Sequence, residues 1–298
     1  MRFCFIVEEQ YRNESMPLAV AHQLLQWEHH VDLLEPHAAI TSLFDLATHD
    51  YDAYVLKTVS DGPGLSILDA AEAMGIPTIN NSRSIHLVRN KAVAAAYAKA
   101  HGLPVPPTYF VAHPQLLKQI SINEYPLVIK PNNGSSCRDV YRIFQPEELA
   151  ALEIELTQTK ARFFLAQHYV ENTGYDIKLY VTGREVNAVA KTSPFHSAIA
   201  EGPIPLSPQM RQLALDVGKL FKLDIYGLDI VETPQGLALL DINDFPSFGL
   251  VPGAVAKVAE YILRTARRAK LERASRFVPP SPRPHAQGKR NRLRVQSG

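Results

Sequence analysis

Two carboxylates and an amide, Asp229, Asp241 and Asn243, fall in two short apolar stretches late in the chain. These are Leu228-Asp229-Ile230-Val231 and, twelve residues after Asp229, Asp241-Ile242-Asn243. Both stretches favour strands, and side chains along a strand alternate between its faces. Asp241 and Asn243 therefore point one way while Ile242 points back into a core, and a hairpin can bring Asp229 to the same patch. Hard oxygen donors with few carboxylates suit Mg²⁺, which keeps waters and completes its shell from phosphate oxygens. The competing reading is strand-end turn chemistry, since Asp and Asn favour turns. That is the reading adopted for Asp244.

Positive charge is spaced to meet such a site. Lys130 closes the apolar run 125–129, immediately before Pro131 and the small-residue loop Asn133-Gly134-Ser135-Ser136. A lysine there reaches phosphates that the backbone N–H groups of Gly134, Ser135 and Ser136 cover. Alone, a lysine beside a turn is ordinarily solvated. Lys91, directly after Asn90, and Lys178 and Lys191, which alternate inward on consecutive strands, add to it. The alternative for Lys178 is a paired surface lysine.

These groups need a scaffold that converges. Short β-prone runs at 2–7, 53–57 and 77–79, separated by helical apolar spacing at 17–26 and 64–74, imply a parallel sheet. Ser82 opens a long helical pattern to His101, which Gly102, Pro104, Pro106 and Pro107 end. A small lid should follow, with strands at 125–130, 140–144 and 162–170 and a helix near 146–157. Strands at 175–181, 185–191, 225–232 and 237–242, with helices at 208–221 and 255–268, describe an α+β module with an antiparallel sheet. The fold class is thus mixed α/β and α+β. The expected units are 1–107, 108–170, 171–268 and a tail at 269–298.

At 298 residues the chain exceeds a usual single domain, and its 46% hydrophobic content can bury a sizeable core. It has no apolar run of the ~18 residues that a membrane span needs. Cys4 and Cys137 are the only cysteines, so no disulfide framework or thiolate metal site is available. The first residues read as a buried strand rather than a leader, and a cytoplasmic protein is expected. The net charge of +1 hides an asymmetry: residues 270–298 carry eight Lys or Arg and one acid, which leaves the body near −6. Residues 276–298, rich in Pro and Arg with few apolar anchors, are expected to be disordered. A basic tail supports at most weak nucleic-acid contact, because no aromatic stacking platform accompanies it. A homo-oligomer is compatible with this composition.

Over roughly residues 1–265 the chain resembles the ATP-grasp superfamily. The resemblance is carried in order by Ile79-Asn80, Asn90-Lys91, Gly102-Leu103-Pro104-Val105-Pro106-Pro107-Thr108, Lys130 with its loop, and Asp229 with Asp241-Ile242-Asn243. It implies ATP held between the lid and the antiparallel module, with Lys91 and Lys130 on its phosphates. Adenine would lie in an apolar slot behind Gln167-His168-Tyr169-Val170. Mg²⁺, or Mn²⁺ in its place, would rest on Asp229, Asp241 and Asn243. The acceptor would be a small anionic molecule.

Two subfamilies compete for the acceptor half. In RimK-like ligases a carboxylate attacks the γ-phosphoryl group and an amine captures the acylphosphate. The N-terminal domain, the segment 80–108 and Asp176-Ile177-Lys178-Leu179-Tyr180-Val181-Thr182-Gly183 look most like this group, with Lys178 and Lys191 standing where arginine is usual, as catalytic residues. In inositol trisphosphate 5/6-kinases a hydroxyl attacks instead, and Asp241-Ile242-Asn243-Asp244-Phe245-Pro246 resembles their metal segment. A third reading is an ATP-grasp protein that binds nucleotide without turnover, against which the three intact metal ligands argue. The ligase resemblance covers more of the chain and is preferred. His196, Arg211, Ser247 and Phe248 lie on segments that could face the acceptor.

Overall fold

The computed structural model describes residues 1–13, 15–58, 62–133, 139–159 and 161–276. Its first unit runs β1 (Arg2–Val7), α1 (Ser15–Gln26), β2 (His30–Leu34), β3 (Ala53–Lys57), α2 (Pro63–Ala73), β4 (Thr78–Ile79), α3 (Ser82–Arg89) and α4 (Lys91–Ala100). The strands form a parallel sheet in the order β2-β1-β3-β4. β1 and β3 are buried on both faces, which is why they read as unbroken apolar runs. β2 escaped the sequence reading because it is a half-exposed edge strand, His-Val-Asp-Leu-Leu, with no clear alternation.

The single helix expected from Ser82 to His101 is two helices. Asn90 takes an extended conformation between them, and its side chain accepts from Val93 N–H to cap α4. Asparagine is among the best N-caps, and here its capping preference overrides the helical periodicity on either side. The break makes Lys91 the first residue of a new helix.

The lid contains β5 (Thr108–Val111), β6 (Leu127–Pro131), β7 (Tyr141–Ile143), α5 (Leu149–Gln158) and β8 (Phe164–His168), with an antiparallel sheet ordered β5-β8-β6-β7. The third unit contains β9 (Tyr175–Thr182), β10 (Glu185–Thr192), β11 (Gly202–Ile204), α6 (Pro208–Phe221), β12 (Ile225–Thr233), β13 (Gly236–Asp244) and α7 (Ala254–Arg276). Its antiparallel sheet is ordered β11-β10-β9-β12-β13. The short strands β5 and β11 lie beside Pro-rich or loop-like sequence and carry little signal of their own. The architecture is the mixed α/β and α+β arrangement that the sequence implies.

α7 departs from expectation in length and in partner. It continues to Arg276, so residues 269–276 are helix rather than tail, while 277–298 lie outside the described residues. Its inner face, with Val258, Ala259, Ile262 and Ala266 fully buried, packs with Val20 and Leu24 of α1 and with Phe3 and Phe5 of β1. The last helix thus completes the core of the first sheet. Asn80 fixes the same junction from within: its side chain donates to Ile225 O at 2.7 Å and accepts from the amides of Asp224 and Ile225 at 2.9 and 2.8 Å. Among the described residues no helix is long and apolar enough to cross a membrane.

Ile262→Ala should lower unfolding stability by about 2–5 kcal/mol, the usual cost of such a buried truncation. It should also raise amide exchange in β1, although the two segments are far apart in sequence. Urea titration with hydrogen exchange checks both, and unchanged β1 protection would show that α7 does not belong to the first core.

Candidate active site

β12 and β13 pair in antiparallel fashion with Asp229 directly opposite Asp241, and the register shifts just beyond, so that Ile230 pairs with Leu239. Leu240 is the extra residue of this bulge. A bulge reorients side chains locally. Here Leu239 and Ile242 go to the core below the sheet, while both Leu240 and Asp241 turn to the opposite face with Asn243. Asn243 donates its amide to Asp229 Oδ2 at 3.4 Å, so the three oxygen-bearing side chains form one patch. Neither the bulge nor the turned carbonyl of Leu240 was visible in the residue pattern.

Cations meet this patch from three elements. Lys178, which pairs with Asp229 in the β9–β12 ladder, places Nζ 3.0 Å from Asp229 Oδ1. Lys91, at the start of α4, forms an ion pair with Asp241. Lys130, on the cavity-facing side of β6, donates to Gln167 Oε1 and to the Leu240 carbonyl, both at 3.0 Å, and so ties lid to sheet. Asn132 adds a second tie that the sequence reading passed over. Its side-chain oxygen accepts from Ala92 N–H at 2.9 Å, in the open first turn of α4.

Lid and sheet enclose a cleft with about 970 Å³ of empty space, a figure that includes the solvent at its open mouth. Lys91, Lys130, Lys178, Gln167, Tyr169, Val170, Asp229, Asp241 and Asn243 all line it. Val128, Val140, Val170 and Leu240 add apolar surface to its lining beside the charged groups. The amide of Tyr169 is donated to Pro126 O at 2.8 Å and is therefore committed within the lid. The Tyr169 hydroxyl meets His196 Nε2 at 3.0 Å, which makes His196 a partner of this wall.

Other expected residues are placed differently. Lys191 shares the sheet face of Lys178 but is held outside the cleft lining by an ion pair with Glu201. Arg211 lies on the exposed side of α6, bonded to Arg184 O, and Phe248 is buried in the core against Tyr180. Gly134, Ser135 and Ser136 lie outside the described residues. Asp244 is no turn residue, being buried in an ion pair with Arg89.

Asp176 also lines the cleft, two residues before Lys178 and therefore on the same face, a placement that strand alternation alone could have flagged. Burial raises its carboxyl above the usual range, with Asp229 adding to the effect against a hydrogen bond to Ser193. Asp241 shows the opposite balance. Burial would raise it, but Lys91 and Lys130 outweigh burial and hold it below the usual range. An ionised Asp241 beside Asp229 and an amide oxygen is an all-oxygen donor set. Among the described residues no group of three or more His, Cys, Asp or Glu gathers. Two carboxylates and an amide nevertheless fit a Mg²⁺ ion that draws its remaining ligands from phosphates and water.

A model of the RimK-like ATP-grasp domain matches residues 88–255 of this chain. A probable alpha-L-glutamate ligase of Legionella pneumophila (strain Corby) is 26% identical over 219 residues, which are 68% of this chain and 72% of that protein. Among solved structures, a RimK domain ATP-grasp protein from Sphaerobacter thermophilus superposes with a TM-score of 0.66 at 18% identity, covering 88% of this chain and all of that one. D-alanine–D-alanine ligase from Bacillus anthracis superposes with a TM-score of 0.69 at 16% identity, covering 92% of this chain and 99% of that one. At these identities the two structures show a shared fold.

Asp176→Asn tests the electrostatics of the cleft. A carboxyl with a raised folded-state pKa favours folding below its unfolded pKa and loses that contribution as pH rises through the folded value. The Asn variant should therefore melt at a higher temperature than the parent at pH 7, and the gap should close towards pH 3. Melting curves across that range decide it, and an equal gap at both ends would contradict the assignment.

Proposed function

Because the chain belongs to the RimK-like ATP-grasp family, we propose that it joins a carboxylate to an amine, with ATP activating the carboxylate. The observation that carries this reading is the paired arrangement of Lys91 with Asp241 and Lys178 with Asp229, around Asn243 and beneath the lid. Such a patch can hold a triphosphate and its counter-cation. The apolar part of the lining, with Val128, Val140, Val170 and Leu240, takes the base.

In the reaction a carboxylate oxygen of the acceptor attacks the γ-phosphorus, and the bond to the β–γ bridging oxygen breaks to release ADP. The amine nitrogen then attacks the acyl carbon, the C–O bond to phosphate breaks, and the proton lost from nitrogen goes to the departing phosphate or water. Lys91 and Lys130 bind and orient the phosphates. Lys178, closest to Asp229, stabilises charge on the transferring group, and the lid keeps water from the acylphosphate. Mg²⁺ at Asp229, Asp241 and Asn243, or the equally hard Mn²⁺, would supply charge neutralisation when bound. Lys191, held by Glu201, takes no part while that pair is closed. The lid and catalytic module correspond to 108–170 and 171–268, and the unit 1–107 presents the acceptor at the carboxyl ends of its parallel strands, where open α/β sheets receive ligands. The relative described as an alpha-L-glutamate ligase makes glutamate and glutamate-ended peptides the first substrates to try.

The test is ATP turnover with Mg²⁺ against two pools, amino acids with short peptides and inositol phosphates, followed by mass spectrometry. An amide formed with release of phosphate is the expected product. A stable phosphate ester on an inositol phosphate would replace this reading with the kinase. Asp241→Ala and Asn243→Ala should reduce turnover by at least ~10²-fold while keeping the fold. Lys178→Ala should lower kcat far more than it raises KM for ATP. Steady-state kinetics of the three variants separate these effects, and parental kcat in Lys178→Ala would remove that lysine from the chemistry.

A further inference from the structure

Arg89 is the last residue of α3 and Asp244 the last of β13, and they meet with Nε 2.5 Å from Oδ1. The Asp244 side chain is wholly inaccessible and that of Arg89 is 14% exposed. Burial would lower the pKa of the guanidinium, but the Asp244 charge holds it above its ordinary value. The guanidinium is thus the charge that compensates the buried Asp244 carboxylate. The other end of Arg89 donates to the carbonyl of Thr58, just past β3. Lys57, the last residue of β3, is also buried and donates to the carbonyl of Phe245 at 3.3 Å, the residue after Asp244.

A pair this deeply buried is poorly explained as a source of stability. Desolvating two charges costs about as much as their attraction returns, and apolar residues of similar shape often serve as well or better. What a buried pair does well is specify register. Arg89 stands two residues before Lys91, and Asp244 three residues after Asp241 and next to Asn243. The ion pairs Arg89–Asp244 and Lys91–Asp241 are therefore two rungs between the same two segments. Asn90, between the rungs, breaks the helix and leaves Lys91 on a separate element whose position relative to β13 must be set by something else.

We propose that Arg89 and Asp244 are positioning residues for the reaction. They set the α3–α4 break against the end of β13, so that Lys91 and the Asp241–Asn243 donors converge on one phosphoryl group. Through the Thr58 carbonyl they also hold that point against the carboxyl end of β3. The proposal rests on the phosphoryl-transfer reading of the cleft but not on the identity of the acceptor.

The test is ADP formation in the full chain, with amide and ester products assayed separately, so that a wrong acceptor assignment and a wrong positioning role give different results. Arg89→Lys keeps the charge that Asp244 needs, but cannot span both Asp244 and the Thr58 carbonyl. It should fold, with kcat reduced ~10-fold or more and KM for ATP within about threefold, because misplacement of an ångström suffices for such losses. The double variant Arg89→Met with Asp244→Leu should regain the parental melting temperature without regaining kcat. Parental kcat in either variant would show the pair to be packing alone. Should the double variant not fold, Arg89→Lys decides by itself.

Discussion

Two carboxylates directly opposite each other on neighbouring strands repel, and that is the constraint from which the site is built. Side chains at such positions stand about 5 Å apart, and Asp229 and Asp241 occupy one such pair at the bulge of β12 and β13. The sheet supplies one compensating charge from within, Lys178 on the next strand. The second, Lys91, has to come from another unit. Bringing α4 over the sheet requires the helix to be broken at Asn90 and its open first turn to be covered, which Asn132 of the lid does. The placement of three units relative to one another thus follows from one electrostatic need.

The same arrangement makes the resting cleft a near-neutral site that a charged ligand can reorganise. Each lysine that could hold a phosphate is already engaged with a carboxylate or carbonyl of the cleft wall. A triphosphate with its counter-cation offers a like-for-like exchange: cation to carboxylates, lysines to phosphates. Little charge is left uncompensated at any stage, which suits a site whose walls have a low dielectric constant. Asp176 is the exception, since burial favours its neutral form despite a hydrogen bond to Ser193 and the nearby charge of Lys178.

Much of this was legible because strands write a period of two. Asp241 and Asn243 on one face, Lys130 at a strand end, and an inward-facing Lys178 all follow from alternation and from residue chemistry, whereas the register that sets Lys178 opposite Asp229 does not. The half-exposed edge strand β2 and the short β5 and β11, set beside Pro-rich or loop-like sequence, were not legible, since neither alternation nor a long apolar run marks them. The break at Asn90 was hidden because both flanking helices share a continuous apolar spacing. Lys191 was read towards the cleft on alternation alone, which was right about the face. It could not anticipate Glu201, ten residues on, which takes the ammonium away. Asp244 was read from its preference for turns, whereas its partner lies 155 residues earlier, beyond the reach of any local rule.

The long final helix has a consequence for how the protein is made. Phe3 and Phe5 leave the ribosome long before the helix that packs over them, Ala254–Arg276, because most of the described chain lies between them. Until then the first sheet must therefore wait with one greasy face covered only in part, by α1, and that interval is when a nascent chain is most open to chaperone capture or misassociation. Arrival of α7 completes the first core. A premature stop between β13 and α7 would yield a chain with every residue that lines the cleft and an unfinished first core.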